Sequence, residues 1–216
     1  MTIQQAIIKI ILGDSQDLGP LGRGIRLAKI ADMLMKSLPH KNYHRVIEVG
    51  GGVGQTAARL LPVCYDNTQT LTVIDPWEET WNGEKNGYTY EAFTAAMLEA
   101  ESRAGLPIRS VLDVVRHTST SQEGRAALIN KVGRPALTFL DGDQSYRSVF
   151  VEVNMATRVA LSAVVCIDDI QRDGPSRAAM WIRPPMYHCV NGVDGSDVME
   201  RYFIYSDIAG RDACGY

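Results

Sequence analysis

Val46-Ile47-Glu48-Val49-Gly50-Gly51-Gly52-Val53-Gly54 decides the fold. A short apolar run ends in an acid, and the acid opens a glycine-rich turn. Gln55 to Leu61 then reads as the start of a helix. Strand, tight turn and helix together aim unpaired backbone N–H groups and the positive end of a helix at a ligand. Glycine suits the turn because it tolerates positive φ and lets a ligand approach bare backbone. Glu48 falls at the carboxyl end of the strand, where open α/β sheets bind their ligands.

A dinucleotide fingerprint needs G-x-G-x-x-G after the strand. Counted from Gly50, the third glycine falls on Gln55 and the register fails. Counted from Gly52, Gly52-x-Gly54-x-x-Ala57 meets the looser form but begins late. Acid-x-Gly-x-Gly-x-Gly, running from Glu48 through Gly50 and Gly52 to Gly54, fits without a shift. That pattern resembles motif I of the class I S-adenosylmethionine (SAM) methyltransferases. The resemblance implies that Glu48, Gly50, Gly52 and Gly54 hold the methionine portion of SAM.

The chain of 216 residues is 45% hydrophobic, enough for one domain with a full core. Its net charge is −3 and no Lys/Arg cluster stands out, so neither nucleic acid nor an anionic membrane is an expected partner. Cys64, Cys166, Cys189 and Cys214 show no paired metal-type spacing. They point to a reducing, cytoplasmic protein without disulfides. The N-terminus lacks the shape of a signal peptide, and no apolar run is long enough to span a bilayer.

Ile3, Ala6, Ile7, Ile10 and Ile11 recur at helical spacing up to Gly13. Such an apolar face is expected to dock on the body or on a second copy of the chain, as a homodimer. Leu18 to Gly24 reads as a loop, and Ile25 to Leu38 as a helix stopped by Pro39. Many small-molecule O-methyltransferases resemble this arrangement, with a loop that folds over the cofactor; an ordinary connector is the alternative. On that resemblance residues 1–40 form a helical cap and residues 41–216 the methyltransferase domain.

Thr70 to Asp75 is a second strand, and its terminal acid lies about 20 residues beyond the turn, where a carboxylate receives ribose hydroxyls. Pro76 and Trp77 follow; Trp77 either stacks near the adenosine or packs under the loop. Glu78 to Tyr88 is a polar excursion beside the site. Val111 to Val115 is a third strand, with His117 and Thr118 at the end that contacts adenine in methyltransferases. Pro135 to Asp141 and Ser162 to Ile167 are the fourth and fifth strands, and Asp168-Asp169 follows the fifth. Strands alternating with helices imply a doubly wound parallel α/β sheet. The last stretch, Met186 to Val190 and Arg201 to Tyr205, reads as an antiparallel pair. Seven strands ending in such a pair form the Rossmann-like fold of the class I methyltransferases.

Three carboxylates brought together at neighbouring strand ends repel one another unless a cation holds them, and all-oxygen ligation suits Mg²⁺. Asp141, Asp168 and Asp169 resemble the metal ligands of the metal-dependent O-methyltransferases that act on catechols, caffeoyl-CoA and macrolide sugars. The resemblance implies Mg²⁺-assisted O-methylation of a small-molecule substrate bearing a hydroxyl. Some members of that family carry a basic residue at the position of Gln144, which cannot serve as a base. Asp141 or Asp169 would take the proton, with His188 and Asp143 as alternatives. Three rival readings stay open: an NAD(P)-dependent oxidoreductase, a non-catalytic SAM-fold subunit that binds a partner, and a metal-free methyltransferase, including one acting on nitrogen.

Overall fold

A computed structural model describes residues 1–13, 22–39, 43–78, 80–81, 84–85, 87–129, 133–182, 187–194 and 197–209. Two helices lead the chain, α1 (Ile3–Gly13) and α2 (Gly22–Ser37). Then come β1 (Tyr43–Val49), α3 (Ala57–Asp66), β2 (Thr70–Ile74) and a small antiparallel pair, β3 (Thr80–Trp81) and β4 (Glu84–Lys85). α4 (Tyr90–Ala104), β5 (Leu112–Val115), α5 (Gln122–Ile129), β6 (Arg134–Leu140), α6 (Tyr146–Asn154) and β7 (Val164–Ile167) complete the alternation. The tail is α7 (Asp173–Ala179), β8 (Tyr187–Asp194), β9 (Asp197–Tyr205) and the short α8 (Ser206–Ala209).

The seven-stranded sheet has the order β5-β2-β1-β6-β7-β9-β8. Five strands run parallel, and β9 pairs antiparallel with both β7 and β8. The chain builds outward from β1 through β2 to β5, then returns to β6 on the other side of β1. That reversal opens a crevice between the carboxyl ends of β1 and β6, the position at which such sheets bind ligands.

Two apolar clusters cover the two faces of the sheet. On one face Ile3, Ile7, Ile11, Leu27, Ile30 and Leu34 of the leading helices join Val46, Leu60, Leu71, Phe139 and Tyr202. The helices expected to form a cap thus share a core with the sheet. On the other face Ile47, Val49, Leu140, Val149, Val165 and Ile167 pack with Leu128 and Ala178. β1 contributes to both clusters because successive side chains of a strand point to opposite faces.

α2 begins at Gly22, three residues before the helix expected from periodicity alone. Gly22, Arg23 and Gly24 therefore belong to its first turn and not to the expected loop. Leu18 to Leu21, the rest of that loop, lie outside the described residues. α2 is tied to the sheet by a buried ion pair: Arg26 donates to Glu200 of β9 at 2.6 Å, and the Tyr202 hydroxyl donates to the same carboxylate. Both Arg26 and Glu200 are buried.

Candidate active site

Four of the five parallel strands, β1, β2, β6 and β7, run into their loops with one further rung of the ladder. Gly50 N–H donates to the Ile74 carbonyl, Asp75 N–H to Val115, Asp141 N–H to Val49 and Asp168 N–H to Leu140, all within 2.8–3.1 Å. These rungs set the backbones of Asp75, Asp141 and Asp168 on one rim. Glu48, the last but one residue of β1, is buried on the same rim.

The glycine turn closes against this rim. Gly50 has φ +88°, and a Cβ there would stand 2.1 Å from the Asp141 carbonyl oxygen. No side chain fits between the two strand ends, so Gly50 is required both by φ and by contact. Gly54 also has positive φ but faces Phe93, Ala96 and Met97 of α4. It therefore seats the turn on α4 instead of facing a ligand, which weakens the shifted dinucleotide register of Gly52, Gly54 and Ala57.

A cavity of about 330 Å³ lies over the crevice. Glu48, Gly50, Gly52, Asp75, Pro76, Thr118 and Asp141 line it, as the sequence pattern expects, and Arg23, Glu78, Tyr88, Ser119 and Asp143 join them. Besides Gly54, two expected residues are placed elsewhere. His117 is exposed and does not line the cavity. Trp77 takes the packing alternative: it is buried, has φ 46° and sits among Tyr90 and Phe93. Its indole N–H donates to the Gly52 carbonyl at 2.8 Å, so it props the glycine turn from beneath.

Asp75 braces the same turn. Its carboxylate accepts from Gly52 N–H at 3.0 Å and from Trp77 N–H at 2.7 Å. A carboxylate has about four acceptor sites, so it retains capacity for a ribose hydroxyl. Glu48 is in the opposite state: its Oε2 has no hydrogen-bond partner among the described residues. Burial pushes its carboxyl up to about 8, against the pull of Arg23 and with a further rise from Asp75. A second buried acid lies behind the cavity wall. Glu152 accepts from the Ser119 hydroxyl, and burial pushes it up to about 8 as well.

The acidic triplet is divided. Asp141 and Asp168 converge, and burial followed by the proximity of Asp168 raises the Asp141 carboxyl well above the usual range. Asp169 does not join them. It has φ 49°, and its carboxylate forms an ion pair with Arg172 at 3.0 Å and accepts from Gln171 at 3.2 Å. Between Asp141 and Asp168 stands Arg23, which sequence reading left in a loop and did not single out. One guanidinium nitrogen donates to Asp168, and another lies 3.3 Å from the nearer oxygen of Asp141. Among the described residues no three His, Cys, Asp or Glu side chains are grouped to hold a metal ion. Two carboxylates bridged by a guanidinium do not fit the Mg²⁺ site expected from the triplet. Asp143 is engaged with Ser145 and Ser148, whose hydrogen bonds outweigh burial and hold its carboxyl below the usual range. The His188 side chain lies outside the described residues.

No protein-family model matches this chain, and no curated protein matches it in sequence. Solved structures match it in shape. The O-methyltransferase NovP aligns over 94% of this chain and 98% of its own, with a TM-score of 0.60 at 13% identity. TomG of Streptomyces achromogenes, an O-methyltransferase of tomaymycin synthesis in complex with SAM, aligns over 94% and 89% at TM-score 0.58 and 13% identity. CalS11, a TDP-rhamnose 3′-O-methyltransferase of calicheamicin biosynthesis, aligns over 95% and 94% at TM-score 0.57 and 13% identity. The chain has the class I SAM-dependent methyltransferase fold, a Rossmann-like sheet closed by an antiparallel pair. Among the described residues no helix is long and apolar enough to cross a membrane.

Proposed function

We propose that this chain transfers the methyl group of SAM to a hydroxyl of a small molecule. One observation carries the reading. The described residues that line the cavity include Glu48, Asp75, Glu78, Asp141 and Asp143, against the single guanidinium of Arg23. Such a cavity favours a cationic ligand and opposes a pyrophosphate. SAM carries both an ammonium and a sulfonium, whereas a nicotinamide dinucleotide carries two phosphates. The O-methyltransferase neighbours of the fold support the same choice.

The residues fit the cofactor in kind. The unpaired Oε2 of Glu48 is the acceptor an ammonium needs, and Gly52, with no atom closer than 3.8 Å to a Cβ built on it, leaves room for a ligand against the turn. Asp75 and Pro76 would take the ribose, and Thr118 the adenine side. When bound, SAM supplies an electrophilic methyl group. The chain's own part is to hold the acceptor hydroxyl in line and to receive its proton. Asp141 faces the cavity, and its carboxylate form would receive that proton. Of the Mg²⁺ ligands expected from the sequence, only two of three carboxylates are assembled, and no step of this reading runs through a metal.

Calorimetric titration with S-adenosylhomocysteine (SAH), followed by NAD(H) in a second cell, tests the reading. Micromolar SAH binding with no heat from NAD(H) is expected. NAD(H) binding without SAH binding would overturn it.

A further inference from the structure

The carboxylates that a metal would need are already served by a side chain. We infer that Arg23 is the resident cation of this rim: it takes the place of a divalent ion between Asp141 and Asp168, and the site works without one. The inference does not depend on which cofactor the cavity holds.

Three features carry it. First, Arg23 is delivered and not merely adjacent. α2 is pinned one turn further on by the buried pair of Arg26 and Glu200, and the Arg23 guanidinium lies 5.2 Å from the centre of the Phe139 ring. A helix-borne, ring-backed guanidinium forks onto two carboxylates with little further ordering. Second, the two carboxylates already have a counter-charge: one Arg23 nitrogen donates to Asp168 and another lies 3.3 Å from Asp141. A divalent ion entering beside Arg23 would meet a guanidinium and not a bare acidic pocket. Third, Asp169 is committed to Arg172, so the dipeptide supplies one ligand and not two.

One buried atom remains open. Oδ1 of Asp168 is buried and has no partner among the described residues. Arg23 lines the cavity where Asp168 does not, and its guanidinium presents hydrogen-bond donors to a bound hydroxyl. Without metal chelation nothing demands two vicinal oxygens, so an isolated alcohol serves as well as a catechol-like diol.

Mn²⁺ titration followed by the free-ion electron paramagnetic resonance signal tests this without any turnover. The wild-type chain, with or without SAH, is expected to leave the signal of millimolar Mn²⁺ undiminished. Arg23→Gln removes the charge and keeps a polar side chain; it is expected to bind one Mn²⁺ roughly tenfold or more tightly than wild type, because two facing carboxylates without a cation recruit one. Adding Asp168→Asn to Arg23→Gln is expected to abolish that binding. Tight Mn²⁺ binding by the wild-type chain that Asp168→Asn removes would overturn the inference, and this arm needs no folded Arg23 variant. An Arg23→Gln chain that folds, as judged by circular dichroism, yet gains no Mn²⁺ would overturn it too.

Discussion

Replacing Glu48 by Gln removes a buried acid that the unliganded chain must keep protonated, and the effect on stability has a sign and a size. The carboxyl is 2% exposed, and burial moves it from an ordinary value of 4.5 to about 8. The folded value lies above the unfolded one, so between these two values the folded chain holds a proton that the unfolded chain releases. Stability is fully present below the lower value and falls as pH rises toward the upper one. At ~1.4 kcal/mol per pH unit, the loss accumulates to about 5 kcal/mol across the window. The amide of the Glu48→Gln variant does not ionise, so the difference between variant and wild type isolates this one group from Glu152 and Asp141, which titrate in the same direction in both chains. Urea unfolding followed by circular dichroism, without ligand and at steps from about pH 5 to pH 8, measures it. Glu48→Gln is expected to gain on wild type by ~1 kcal/mol or more per pH unit. Its constant offset from the unpaired amide is about 1–3 kcal/mol and does not change with pH. The same variant is expected to bind SAH roughly 10–100-fold more weakly, the value of a lost charge-assisted hydrogen bond. Parallel stability curves for the two chains would refute the placement of Glu48 as a buried, ligand-seeking acid.

Two further substitutions probe the frame around it. Gly50→Ala puts a methyl group 2.1 Å from the Asp141 carbonyl at φ +88° and is expected to abolish SAH binding and to lower stability by ~2 kcal/mol or more, read by calorimetry and thermal melting. Glu200→Gln leaves Arg26 buried without its counter-ion, and a loss of about 3–5 kcal/mol is expected in urea unfolding.

The strand ends were legible because each parallel strand is an apolar run that stops at an acid or polar residue. That pattern alone places Glu48, Asp75, Asp141 and Asp168 on one rim. It could not separate Asp168 from Asp169. Neighbouring residues at a strand end point to opposite sides, so a doubled acid after β7 delivers one carboxylate to the crevice and sends the other elsewhere. Trp77 was undecided for a related reason: its positive φ folds the chain back under the glycine turn, and an aromatic gives no local sign of that. Arg23 was hidden by distance. It lies 145 residues before Asp168 in the chain, on a helix whose first turn is glycine-rich and reads as a loop. The one available signal was the surplus of acids itself, since carboxylates packed on one rim require a cation from somewhere, and a lone arginine between two glycines was a candidate source.

The raised acids and the lone guanidinium express the same deficit. Arg23 lies close enough to counter the rise of the Glu48 carboxyl as well as that of Asp141. One positive charge therefore serves carboxylates on both sides of the crevice. It is not enough, and the rim makes up the difference by holding protons on buried carboxyl groups. A ligand that brings its own positive charge displaces those protons and replaces an awkward buried acid with a paired one. This makes the unliganded site poorest in stability at and above the pH at which Glu48 ionises, and makes a cationic ligand most stabilising there. A pyrophosphate-bearing ligand would add negative charge to the same rim and worsen the imbalance. The electrostatics thus support the proposed choice of SAM over a dinucleotide, which the glycine turn alone leaves open. They do so with residues drawn from α2, from β1 and from the loops that follow β2, β6 and β7.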